Sequence, residues 1–65
     1  MQFTLTVNMD NAAFEDANLE LETILNQVTK RVQYADLPGL RFSVLDSNGN
    51  KVGVCSVSDN KRYSR

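Results

Sequence analysis

No histidine occurs anywhere in the 65 residues, so the commonest general base and the commonest zinc ligand are both missing. Cys55 is the single cysteine, which excludes an internal disulfide framework and fits a reducing compartment. Without a histidine or a second thiol, most familiar enzyme chemistries drop out. The chain reads as a non-enzyme with no catalytic residue, no metal site and no cofactor. No apolar run approaches the ~18 residues needed to span a bilayer, and no basic, apolar, small-residue leader precedes Phe3. A cytoplasmic location is the expectation. Basic residues are absent as far as Thr29, and this gap organises the charge of the molecule.

At this length there is room for one domain, 1–65, which buries only ~60% of the surface its unfolded chain exposes. Apolar residues make up 42% of the chain and charged residues 23%, ordinary values for a folded protein. Net charge is −1, so direct nucleic-acid binding is not expected from charge alone. The distribution is more informative. Asp10, Glu15, Asp16, Glu20 and Glu22 precede every cation, while Lys30, Arg31, Arg41, Lys51, Lys61, Arg62 and Arg65 follow with Asp36, Asp46 and Asp59 among them. The molecule should be electrically two-ended.

From Gln2 to Asn8, Phe3, Leu5 and Val7 alternate with Gln2, Thr4, Thr6 and Asn8, as a strand buried on one face requires. Asn8, Asp10 and Asn11 supply turn and N-cap chemistry, with Ala12, Ala13 and Phe14 folded back on the core. Between about Ala17 and Gln33, Leu21, Ile24, Leu25, Val28 and Val32 fall on one helical stripe. Such a helix is roughly 24 Å long, matching a seven-residue strand. Glu20 and Glu22 near its start and Lys30 and Arg31 near its end complement the helix dipole. Leu19 points nearly opposite to the stripe.

Pro38, the only proline, and Gly39 mark a connection. Leu40, Phe42 and Val44 then alternate up to Leu45, and Asn48-Gly49 predicts a tight hairpin, since both positions tolerate positive φ. The return strand, from about Lys51 to Ser58, carries apolar residues of both parities around Gly53, which reads as a bulge that switches the buried side. Residues 59–65 read as a fraying basic tail. The expected fold is α+β with element order β-α-β-β. Its sheet is three-stranded and antiparallel, of order 1-3-2, with the one helix packed on one face. Phe3, Leu5, Leu25, Val28 and Phe42 are expected to be buried together.

Phe3-Thr4-Leu5-Thr6-Val7, Asn11-Ala12-Ala13-Phe14-Glu15-Asp16, the helix, and Asp46-Ser47-Asn48-Gly49-Asn50-Lys51-Val52-Gly53 together resemble a group of short bacteriophage and prophage proteins. The chain departs from that group at Cys55, where an aromatic residue is common, and in its basic tail. The resemblance carries no assigned active site. It implies the cytoplasm of a bacterial host, and a protein that binds and blocks a host defence complex in an anti-CRISPR-like manner.

Each candidate site has a plainer reading beside it. Asp46, Asn48 and Asn50 resemble alternating calcium ligands, but Gly49 comes too early and no distal Glu follows, so a turn is favoured. Cys55, with no histidine to activate it, reads as packing. Lys61, Arg62, Tyr63 and Arg65 have the composition of a nucleic-acid contact, or of a solvated tail. Asp10, Glu15, Asp16, Glu20 and Glu22 form the partner-binding candidate, an acidic side able to compete with phosphate for a basic groove on a nucleic-acid-handling complex. The alternative function is a homodimeric phage structural or assembly accessory protein, with Leu45 and Val54 on the uncovered sheet face, or an edge strand, as the self-association surface.

Overall fold

The computed structural model describes residues 1–59, so the expected contacts of Lys61, Arg62, Tyr63 and Arg65 lie outside the described residues. Alternation of small polar and apolar residues makes Gln2–Val7 the first strand, β1. Asn11 then caps a 3₁₀ turn, Ala12–Asp16, by accepting a bond from the Ala13 N–H, and Phe14 in that turn is buried. Asp16 caps α1, Ala17–Gln33, by accepting from the Leu19 N–H. Glu20 in its first turn and Lys30 and Arg31 in its last oppose the helix dipole in the expected sense. β2 runs Arg41–Leu45 and β3 Lys51–Ser58.

The strands form one antiparallel sheet of order β1-β3-β2, the α+β arrangement anticipated from the sequence. The hairpin between β2 and β3 is built on Gly49 alone, whose φ is +85°. The Gly49 N–H donates to the Asp46 carbonyl and the Asp46 N–H to the Asn50 carbonyl, so Ser47 and Asn48 keep negative φ. This is a type I turn closed by a left-handed glycine, not the pair of positive-φ residues the Asn-Gly dipeptide suggested.

A bulge does switch parity on β3. Val44 pairs with Gly53 and Leu45 with Lys51, which leaves Val52 as the extra residue, and Val52 is turned into the core. Gly53 is required beside it: a Cβ there would lie 1.9 Å from the Thr6 carbonyl oxygen. The core comprises Phe14, Ile24, Val28, Phe42, Val44, Val52 and Cys55, with Leu5, Val7, Ala13, Val32 and Leu40 packed around it.

Two members of the expected core are elsewhere. Phe3 is 54% exposed and Leu25 47% exposed. The buried line of α1 is Glu20, Ile24 and Val28, so Leu25, one residue or about 100° round the helix from Ile24, faces outward. Leu19 is exposed as its phase demanded. α1 rests chiefly against β2 and the 3₁₀ turn, which leaves the start of β1 uncovered and Phe3 with it.

Candidate functional site

The acidic candidates gather at one end of the molecule, where α1 begins and the β2–β3 turn closes. Asp10, Glu15, Asp16 and Glu22 are exposed there. Local bonds fix their backbone: the Asn8 side chain accepts from the Asp10 N–H at 3.0 Å, Asn11 from the Ala13 N–H at 3.0 Å, and Asp16 from the Leu19 N–H at 3.2 Å. Asn8, Asp10 and Asn11 also line a shallow depression of about 360 Å³ with Lys51 and Val52.

Glu20 does not belong to this surface. It is only 6% exposed, and its two carboxylate oxygens accept bonds from the Ser47 N–H at 2.7 Å and the Ser47 hydroxyl at 2.8 Å. Position 20 lies one helical turn before Ile24, on the buried line, so a carboxylate there must find donors inside the fold. The turn supplies them.

Asp46 is the hub of the same end. Its Oδ1 accepts the Asn48 and Asn50 N–H groups at 2.9 Å each, and its Oδ2 accepts the Asn11 side-chain amide at 2.8 Å. The bond from the Asn50 N–H, helped by Asn11, Asn48 and the Asn50 side chain, holds its carboxyl below the usual aspartate value against an opposing push from burial. Donors thus occupy both oxygens, as the turn reading of Asp46-x-Asn48-x-Asn50 requires. Asn11 ties the segment after β1 to the β2–β3 turn, a link 35 residues apart in sequence.

Cys55 is fully buried, and burial pushes its thiol above the ordinary value. A thiol so placed is a poor nucleophile and packs as a small apolar side chain.

Leu45 and Val54 do not build the apolar patch expected of the open sheet face. Val54 is flanked by Thr6 on β1 and Ser43 on β2, and Leu45 lies opposite Lys51. Thr4, Ser56 and Arg41 share that face. Three exposed apolar residues, Met1, Phe3 and Leu37, come together on the other face instead. Met1, Phe3, Val32, Leu37 and Val57 line an almost wholly apolar groove of about 260 Å³ beside β1. The sequence signal for it was present: Met1, Phe3, Leu5, Val7 and Met9 are apolar at every odd position, more than one helix leaning toward β2 can cover.

Among the described residues, no cluster of three or more His, Cys, Asp or Glu side chains is placed to share a metal ion, and no helix is long and apolar enough to cross a membrane. Comparison with family models, with curated proteins and with solved structures found no match to this chain.

Proposed function

We propose that this chain is a non-enzymatic binding protein of a bacterial cytoplasm that inhibits a host defence complex by occupying its surface, as the anti-CRISPR-like phage proteins it resembles would. The observation that carries this reading is the segregation of exposed charge along α1 and the segment before it, with Lys51 bordering the acidic side beside Asp10. Asp10, Glu15, Asp16 and Glu22 stand at the end where α1 begins, and Lys30 and Arg31 lie in its last turn. An acidic end on a short, capped scaffold presents fixed negative charge to a basic groove that otherwise holds a phosphate backbone. Removing Glu20 from the set narrows the contact to four side chains.

The test is affinity capture of a nucleic-acid-handling complex from host lysate, followed by measurement of that complex's nucleic-acid binding. A variant carrying Glu15→Lys, Glu22→Lys and Asp16→Asn keeps the helix cap, because Asn caps as well as Asp. Wild type should block nucleic-acid binding, less so as salt rises above physiological strength, and the variant should not. Equal inhibition by the variant would remove the acidic end as the contact.

A further inference from the structure

The groove beside β1 adjoins a strand edge, and the edge has a definite chemistry. The Asn8 N–H donates to the Val52 carbonyl at 2.7 Å, which continues the register Gln2↔Ser58, Thr4↔Ser56, Thr6↔Val54. The even positions of β1 are therefore the hydrogen-bonded pairs with β3, and the N–H and C=O groups of Phe3, Leu5 and Val7 point away from it. No strand among the described residues pairs with that side. The same three residues put their side chains on the helix-covered face, where Leu5 and Val7 are half-buried and Phe3 is exposed. Exposed edges are normally blunted by charge, proline or a bulge. From Met1 to Met9 there is no charged residue and no proline, and the only register shift in the sheet lies between β2 and β3.

We propose that β1 is a self-association edge, which pairs antiparallel with β1 of a second copy about a two-fold axis through Leu5. The occupant is a second copy because the segment is chemically symmetric about that residue. Thr4 and Thr6, Phe3 and Val7, Gln2 and Asn8, and Met1 and Met9 stand at equal distances from Leu5. Antiparallel pairing in this register sets Leu5 against Leu5, Phe3 against Val7 and Thr4 against Thr6. Each outward N–H and C=O of Phe3, Leu5 and Val7 then meets its complement. Apolar pairs meet on the helix side and threonine pairs on the other, both favourable cross-strand combinations. An uncharged segment meets its own image without like-charge repulsion.

The resulting six-stranded sheet carries both helices on one face. The two β3 strands lie about 14 Å apart, three strand spacings, and because α1 rests toward β2 the helices flank the paired β1 strands without colliding. Phe3, Leu5 and Val7 of both copies fill the trough between them. The surface is distinct from the acidic end, so the proposal goes beyond the inhibitory reading and stands or falls separately.

The test is amide hydrogen exchange and light scattering on the full chain across a dilution series, for wild type and for Phe3→Lys. Association should slow exchange at Phe3, Leu5 and Val7 by at least about tenfold between the dilute and concentrated ends. Thr4 and Thr6, already bonded to β3, should be protected at every concentration. Phe3→Lys should abolish the concentration dependence and leave the melting temperature nearly unchanged at the dilute end, where wild type is monomeric. Three results would each overturn the proposal: a monomer at all concentrations; protection of Phe3, Leu5 and Val7 that does not depend on concentration, which would mean that the chain covers its own edge; or a dimer in which those amides stay unprotected, which would place the interface elsewhere. A fourth result, a dimer unaffected by Phe3→Lys, would overturn it as well.

Discussion

At the β2 edge of the sheet, Gln27 of α1 reaches down and closes the backbone. Its side-chain NH₂ donates to the Leu45 carbonyl at 2.9 Å, and its side-chain oxygen accepts the Leu45 N–H at 3.1 Å. Arg31 adds a second cover, with its guanidinium carbon 4.3 Å from the centre of the Phe42 ring. At the β1 edge nothing comparable is in place among the described residues: the helix leans away, Phe3 is exposed, and the outward groups of Phe3, Leu5 and Val7 meet no strand. The difference is one of degree: α1 clasps the Leu45 end of the β2 edge through Gln27, and Arg41 places a charge on that edge, whereas β1 has neither. The amide of Gln27 mimics a peptide group, so it satisfies a strand edge without extending the sheet, which side chains of the core cannot do.

Gly53 joins the two halves, since it pairs with Val7 on one side and with Val44 on the other. Gly53→Ala should disrupt both halves at once. Its Cβ would meet backbone, the Thr6 carbonyl, rather than a flexible side chain, so β1 must shift away from β3. A cost of roughly 3 kcal/mol or more is expected for overpacking of this kind, comparable to the whole stability of a domain this small. Circular dichroism on heating should show no cooperative transition; a melting point within a few degrees of wild type would mean that β1 is not held as described.

The inner and outer faces of α1 should also differ in what a lost side chain does. Ile24 is fully buried on the covered side, and Ile24→Ala should cost about 2–5 kcal/mol. Leu25→Ala, at a half-exposed position one residue away, should stay within about 0.5 kcal/mol. Denaturant titration of both variants checks the helix phase directly, and a Leu25 loss as large as that of Ile24 would reverse it.

That phase is where the local hydrophobic pattern misleads. Strand alternation, the helix limits Ala17–Gln33 and the order β1-β3-β2 were all legible, because alternation, caps and the parity of β3 are local signals. A stripe of Leu21, Ile24, Leu25, Val28 and Val32 was centred by hydrophobicity, and hydrophobicity gives no weight to Glu20 or Gln27. Both are drawn toward the sheet by polar partners, Ser47 and Leu45, that lie 27 and 18 residues away, and no local pattern announces such bonds. The exposure of Phe3 escapes the pattern for a related reason. Alternation tells which face of a strand is apolar, but not whether a helix reaches far enough to cover it. Of the site, the exposed acids Asp10, Glu15, Asp16 and Glu22 were legible as a run without cations, whereas the apolar groove beside β1 depends on where α1 lies.

Removing the clasp should expose the Leu45 end of the β2 edge, leaving Arg41 as its remaining guard. Gln27→Ala deletes two hydrogen bonds to Leu45 at a partly exposed position, a loss of about 1–2 kcal/mol at the usual net value per bond. The larger consequence concerns assembly. A molecule with one open edge forms a closed pair, whereas one with two can add copies at both ends without limit. Light scattering of Gln27→Ala should therefore rise steadily with concentration where wild type levels off, and the double variant with Phe3→Lys should return to small species. If Gln27→Ala scatters like wild type, the side-chain clasp is not what protects β2.

The smallest expected effect is set by acid, and it acts on the link between the two halves rather than on either edge. Asp46 accepts from Asn11 in the segment after β1 and from Asn48 and Asn50 in the β2–β3 turn, and its carboxyl is held below the ordinary value chiefly by the Asn50 N–H. A group whose folded value is depressed binds its proton less readily when folded than when unfolded. Its contribution to stability is therefore complete above the unfolded value, at about pH 4, and is lost as pH falls through the folded value. Wild type should melt at a progressively lower temperature as pH drops below about 4, beyond what its other acids produce. Asp46→Asn should melt lower than wild type at pH 7, since it replaces one acceptor oxygen by an NH₂ that faces donors, and it should show a shallower fall in acid. Melting curves of the two proteins between neutral pH and pH 2 isolate the difference, and parallel curves would show that protonation of Asp46 does not loosen the fold.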